Sequence, residues 1–289
     1  MRIQIIQVPY DAGHRSVRMG SGPEHFVRNG VGEALRGNGH EVYFEVVDAT
    51  GPFKAEIGTA FELHKLVADR VRDAVEQGRF PLILSGNCNT SVGTITGLVP
   101  QELGVIWFDG HADFNTPETT TSGSLDGMGL AIGTGGCWKK MTRTIPGFRP
   151  IPEANAVLVG SRDIGQEELE RLRRSDVTLV GVDVARKKGI REALGSALDA
   201  LHTRVRRVYV HLDLDVLDPE IAPANQFAPP IGLMPEELEK GLRTIQDRLT
   251  LAGVGVASYD PQYDREDRML RTGVRLMEVL TGHSTDEKW

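Results

Sequence analysis

Short, almost unbroken apolar runs recur along the chain and alternate with longer stretches in which apolar residues return every three or four positions. The runs are RIQIIQV, VYFEVV, FPLILS, LGVIWFD, AVLVG, VTLVGV, VYVHLDLD and LAGVGVAS, which makes about eight candidate strands. Helical spacing marks Phe61 to Glu76, Glu167 to Arg174, Ile190 to Val205 and Glu236 to Leu249. Strands alternating with helices predict an α/β fold with a mostly parallel sheet. Continuously apolar strands are what a sheet covered on both faces requires. No Pro/Ser-rich linker or composition shift divides the chain, which predicts one domain over residues 1–289. Phe114 to Met141 is rich in Gly, Thr and Ser and reads as a long loop giving way to a short helix. Long loops in compact domains commonly carry function.

Composition narrows the function classes. A chain of 289 residues with 40% hydrophobic and 25% charged residues can bury a large core. Its 33 basic and 40 acidic residues give a net charge of −7, and the basic ones are scattered, leaving no stripe for a phosphate backbone. Nucleic acid is therefore not an expected partner. The N-terminal MRIQIIQVPYDAG enters a strand-like run without the features of a signal peptide, and no 18-residue apolar run exists, so no membrane is expected and the expected location is the cytoplasm. The two cysteines, Cys88 and Cys137, exclude a disulfide scaffold and fit a reducing compartment.

The candidate chemistry lies at two strand ends. In VIWFDGHADFN, Asp109, His111 and Asp113 alternate after an apolar run; in VYVHLDLDVLDP, His211, Asp213 and Asp215 do the same. Residues two apart on an extended backbone share a face. In an open α/β sheet, ligands bind outside the carboxyl ends of the strands, so two such clusters predict a common crevice. An isolated D-x-D at a strand end is usually a turn or a cap, but two with the same geometry point to a site. Four converging carboxylates would repel one another and take up protons unless a cation neutralised them, which predicts divalent metals. His211 reads as a structural histidine, and Asp218, before Pro219, as a turn residue.

These motifs resemble the ureohydrolase superfamily of arginases, agmatinases and formimidoylglutamases. The resemblance starts at RMGSGPEHFVRNG, is most specific at DGHADFNTPETTTSG and HLDLDVLDP, and continues through VLVGSRD and ASYDP. It implies a three-layer α/β/α domain, two Mn²⁺ ions per chain, and hydrolysis of a C–N bond in an amidino compound by a metal-bridging hydroxide, with urea released from a guanidine. It also implies a homo-oligomer, trimer or hexamer, acting on a small molecule. Carried over by position, Asp109 and Asp213 would bridge both metals, Asp113 would bind the first, and His111 and Asp215 the second. Asn115 and Ser122 match positions that hold the amino-acid carboxylate of the substrate. Asp113 could also pass a proton to the leaving amine.

Several positions depart from the family pattern. Cys88, in SGNCNT, stands where the family has a histidine on the first metal, and a thiolate there tilts that site towards zinc or iron. Its neighbour Asn87 replaces an aspartate that would orient the imidazole. Asp126 stands at the position of the catalytic histidine and can relay protons only with a raised pKa. Ser258 replaces the glutamate that pairs with the substrate guanidinium, and Gly165 an aspartate that takes its amino group. Cys137, Trp138 and Phe227 read as packing beside the altered pocket. Cys88 together with DFNTPETT also resembles Nω-hydroxy-L-arginine amidinohydrolase, a narrower likeness. The leading expectation is thus a binuclear metal-dependent amidinohydrolase acting on a guanidine or an N-hydroxyguanidine. The alternatives are a catalytically weak member of the fold that binds a metal or ligand, and a zinc amidase or deacetylase-like hydrolase.

Overall fold

A computed structural model describes residues 1–53, 55–98 and 102–282. The end of the expected domain, 283–289, lies outside the described residues. All eight apolar runs form strands of one sheet: β1 (Arg2–Val8), β2 (Glu41–Val46), β3 (Phe80–Ser85), β4 (Leu103–Phe108), β5 (Ala156–Val159), β6 (Thr178–Val180), β7 (Arg207–Asp213) and β8 (Thr250–Ala257). Their spatial order is β2-β1-β3-β8-β7-β4-β5-β6, with every pairing parallel.

Alternate strand residues feed two separate cores. Ile106 and Phe108 of β4, with Val208, Val210 and Leu212 of β7, meet the helices Ile190–His202, Pro235–Gln246 and Arg268–Thr281 on one face. Val105, Trp107 and Tyr209 point the other way, into a core closed by the helices Glu56–Glu76 and Ser91–Gly97. Burial on both faces explains why the strands read as continuous apolar runs. The three-layer α/β/α expectation is met.

The expected helices are present, with shifted ends. The helix at Glu56–Glu76 starts before Phe61, and the one at Ile190–His202 stops short of Val205, where Arg204 N–H closes a turn onto the Leu201 carbonyl at 2.9 Å. The helix Arg268–Thr281 lies outside those expected. Its apolar spacing was legible, and Asp264 starts it by accepting the N–H groups of Arg268 and Leu270, each at 2.8 Å.

Topology makes the crevice. Strands β3 and β4, consecutive among the strands, are separated in the sheet by β8 and β7. The segments leaving β3, β4, β7 and β8 therefore open side by side at one carboxyl edge. Gly86, which leads from β3 to Asn87 and Cys88, fits under the N-terminal segment: a Cβ there would meet the Tyr10 carbonyl oxygen and the backbone of Gly20, the latter at 2.7 Å. Gly86→Ala is expected to destabilise the fold by about 1–3 kcal/mol, the usual cost of overpacking. Urea denaturation measures it; an unchanged midpoint would show that this backbone contact yields freely.

Candidate metal centre

Each aspartate that begins a cluster ties its own turn. Asp109, fully buried at the end of β4, accepts the His111 N–H at 2.7 Å and the Trp107 indole N–H at 2.9 Å. Asp213, the last residue of β7, accepts the Asp215 N–H at 2.7 Å. Asp215 then joins the two clusters: its Oδ1 accepts the Gly110 N–H at 3.0 Å and its Oδ2 lies 3.2 Å from His111 Nδ1. Arg162, from the VGSRD stretch, secures this arrangement by donating to the carbonyls of Asp215 at 2.9 Å, Leu217 at 3.3 Å and Pro230 at 2.9 Å.

Cys88 reaches the same crevice from the segment after β3. Its Sγ donates to Asp213 Oδ2 at 2.8 Å and lies 3.2 Å from Ser258 Oγ. Two groups of donors are close enough to share an ion. Cys88, Asp109, His211 and Asp213 form one, Asp109, His111 and Asp215 the other, with ligand atoms within 4.8 Å of one another in each. Asp109 is common to both. Asp113 falls outside both groups; its backbone is left-handed, with φ of 49°, and its buried Oδ2 has no hydrogen-bond partner among the described residues. His211 likewise leaves Nε2 without a partner. Buried groups are nearly always satisfied, so two orphans at one cluster fit a bound cation.

The carboxylates sit on the floor of a cleft of about 770 Å³ lined by Cys88, His111, Asp113, Asp213 and Asp215. The wall includes the sequence-predicted Asn115, Ser122, Asp126, Gly165 and Ser258. Phe227, expected as packing, is instead 55% exposed and lines the cleft, because the loop carrying it lies over the opening rather than in a core. Asn115 accepts the Thr119 hydroxyl at 3.0 Å, and Ser122 stands exposed on the rim. Ser258, left-handed with φ of 64° and buried, turns its hydroxyl towards Cys88. Cys137 and Trp138 do not line the cleft; the Trp138 indole donates to Met128 Sδ at 3.4 Å, in keeping with packing. Asp218 is the expected turn residue, accepting the Glu220 N–H at 3.0 Å. Sequence reading missed Asp11, Arg18 and Glu56 on the wall. Asp11 and Arg18 form an ion pair at 2.8 Å, and no local pattern announced it, because the N-terminal segment meets the cleft only through the fold.

Burial dominates the electrostatics. It raises the pKa of Asp109, Asp113 and Asp213, and neighbouring carboxylates add to the effect. Burial, then Asp213, push the Cys88 thiol up. Burial pushes Asp215 up too, but His111 more than offsets it and leaves Asp215 at about 2. His111 is held well above the ordinary range, the pull of Asp215 and Asp109 exceeding the cost of burial. Burial, which favours the neutral imidazole, brings His211 down to about 3 against the opposing pull of Asp215. Asp126 rises to about 7 through burial, although the Asn89 N–H at 3.1 Å and the Asn87 amide at 2.7 Å favour its charged form.

These shifts fix the sign of a pH dependence in the metal-free protein. A group whose folded pKa is raised stabilises the fold at low pH and loses that contribution as pH rises through the folded value. Asp109, Asp113, Asp126 and Asp213 belong to this class, and for Asp126 the loss spans the range from 3.8 to about 7. Asp215 has the opposite sign, but its change falls between 3.8 and about 2, below that window. His64 and His211, which burial lowers from 6.5 to about 4 and about 3, act oppositely below pH 6.5, whereas His111, raised despite burial by Asp215 and Asp109, adds to the loss above it. The metal-free Tm is therefore expected to fall between about pH 6.5 and about pH 8, and added Mn²⁺ to flatten or reverse the slope. Thermal melts with chelator and with metal check this; a metal-free Tm rising over the range would contradict it.

A model of the arginase family matches residues 1–282. The arginase of Brevibacillus brevis is 33% identical over 224 residues, covering 76% of this chain and 75% of its own. The arginase of Bacillus caldovelox is 28% identical over 300 residues, covering 97% of this chain and 98% of its own. The crystal structure of arginase from Bacillus subtilis aligns with a TM-score of 0.89 at 26% identity, covering 98% of this chain and 99% of that one. With that family match over nearly the whole chain and a relative one-third identical, the chain belongs to the arginase family.

Proposed function

We propose that this arginase-family hydrolase cleaves a C–N bond of a guanidine or N-hydroxyguanidine, releasing urea, with two divalent cations held between Asp109 and Asp213. The observation that carries the reading is the convergence of Cys88, His111, Asp213 and Asp215 in the lining of one cleft, with Asp109 buried against them, beside buried polar atoms that have no hydrogen-bond partner among the described residues. Asp109 and Asp213 would bridge, Cys88 and Asp113 would serve the first ion, and His111 and Asp215 the second. Mn²⁺ is the proposed metal by family resemblance, with the soft thiolate favouring Zn²⁺ or Fe²⁺ beside Cys88. When bound, such a pair supplies a strong nucleophile at neutral pH by acidifying water, and polarises the substrate.

The protein's own groups supply the rest. Asp113, whose buried Oδ2 has no hydrogen-bond partner among the described residues, would accept a proton and hand it to the leaving amine. Asp126, near 7, could exchange protons with solvent at the cleft wall. Asn115 and Ser122 would receive the amino-acid end of the substrate. Residues 1–289 would act as one ureohydrolase-like domain, a reading supported by the match over 1–282 and by the single sheet. Assembly into a trimer or hexamer is proposed from resemblance and a cytoplasmic location from the sparse cysteines, which fit a reducing compartment; among the described residues, no helix is long and apolar enough to cross a membrane.

The pocket argues against free L-arginine as the preferred substrate. Ser258 offers no carboxylate to a guanidinium, and its hydroxyl faces Cys88. Leaving one partner of a buried charged pair alone costs roughly 2–5 kcal/mol, a loss of roughly thirty-fold to several thousand-fold. An N-hydroxyguanidine is less basic and can enter neutral. With Mn²⁺ supplied, urea release is expected to be faster from Nω-hydroxyarginine than from arginine, agmatine or guanidinobutyrate. Arginine turnover at about 10⁴ M⁻¹s⁻¹ or more would instead assign an ordinary arginase activity. Separately, Asp109→Asn and Asp213→Asn should each lose both metals, because a bridging carboxylate holds the charge of both ions; elemental analysis showing two ions retained would remove the bridging assignment.

A further inference from the structure

Strand β7 places Tyr209, His211 and Asp213 on one face, and the two flanking residues fix what the imidazole between them can do. His211 is 1% exposed. Its Nδ1 lies 2.9 Å from Ser91 Oγ and 3.4 Å from the Tyr209 hydroxyl, so this side of the ring has its partners. The Trp107 indole lies against the ring at a centroid distance of 3.8 Å and so restrains its plane. The same indole donates to Asp109. Nε2, on the opposite side, has no partner among the described residues. A buried group left unsatisfied is destabilising, and the neighbours within reach of the ring are Cys88, Asp109 and Asp213.

We propose that His211 Nε2 is a ligand of the first metal, alongside Cys88, Asp109 and Asp213. The proposal rests on the two-metal reading above and changes its ligand set. Ser91 can accept the Nδ1 proton, which leaves the Nε2 lone pair free for a metal; a hydrogen bond on the far nitrogen orients imidazole ligands in this way. Charge favours the arrangement as well. Cys88 thiolate with Asp109, Asp113 and Asp213 would put four anions around one divalent ion, whereas a neutral imidazole in place of Asp113 removes one of them. Binding would release the Cys88 thiol proton to solvent. Asp113 would then be free to handle protons, consistent with its place outside both donor groups. One sulfur, one nitrogen and two oxygen donors suit the four-coordinate preference of zinc or cobalt better than manganese. In effect, the imidazole missing at position 88 is supplied from β7.

The test is cobalt titration of the full-length, chelator-treated protein. In the unaltered chain, one cobalt equivalent should give a thiolate-to-cobalt charge-transfer band with intense tetrahedral d–d bands. His211→Gln should weaken that equivalent at least ten-fold and alter the bands, while His111→Gln should weaken only the other equivalent. Unchanged affinity and spectrum in His211→Gln would overturn the proposal. Should His211→Gln not fold, X-ray absorption on the His111→Gln variant with one zinc equivalent decides. A sulfur shell with imidazole scattering supports the ligand, and a sulfur shell without it overturns it. An unaltered protein that takes up no cobalt or zinc overturns the two-metal reading itself, and this ligand with it.

Discussion

Asp109, Asp113, Asp213 and Asp215 bury four carboxylates at the carboxyl edge of adjacent parallel strands, where like charges repel strongly and water cannot screen them. The surrounding structure manages that repulsion. Backbone N–H groups at His111, Gly110 and Asp215 point at carboxylate oxygens. Trp107 adds an indole donor, and His111 places a cationic imidazole between Asp109 and Asp215. These donors do not reach every oxygen. Asp109, Asp113 and Asp213 remain raised, chiefly by burial, which marks charge that these donors leave uncompensated.

Holding such groups in place takes rigid support, and the fold provides it at some backbone cost. Asp113 and Ser258 both adopt left-handed conformations, which residues other than glycine rarely take up. Each is fixed by neighbours: the Asp113 carbonyl accepts the Ala131 N–H at 3.1 Å, and the Ser258 carbonyl accepts the Asn225 amide at 2.8 Å. Arg162 stitches the loop after β7 to Pro230 through backbone carbonyls, spending its donors on support. Strain at these positions aims side chains into the cleft.

The departures from the family pattern form one connected change. Cys88, Asp213 and Ser258 touch one another, so the residue in place of a metal-binding histidine and the one in place of a guanidinium partner are neighbours in space. Asn87 and Asn89 both donate to Asp126, tying the substituted catalytic position to the same segment. The positions that the family resemblance assigns to metal ligation and to substrate recognition therefore lie side by side, a thiol next to a neutral hydroxyl.

The strands, their parallel arrangement and both acidic clusters were legible because they depend on short-range periodicity: an apolar run long enough for a buried strand, and polar residues two apart at its end. Cys88 stood out through its place after β3. What periodicity cannot carry is which atoms meet across the sheet. Cys88 and Asp213 are 125 positions apart, and Ser91 and His211 are 120 apart. The sequence alone left His211 as a structural histidine, since an in-phase position fixes a face and says nothing of partners. Only tertiary packing decided that Ser91 and Tyr209 occupy one ring nitrogen and that the other has no partner among the described residues. The same holds for Asp11, Arg18 and Glu56, which reach the cleft because the N-terminal strand lies beside β3, a pairing that long-range burial sets and local pattern does not.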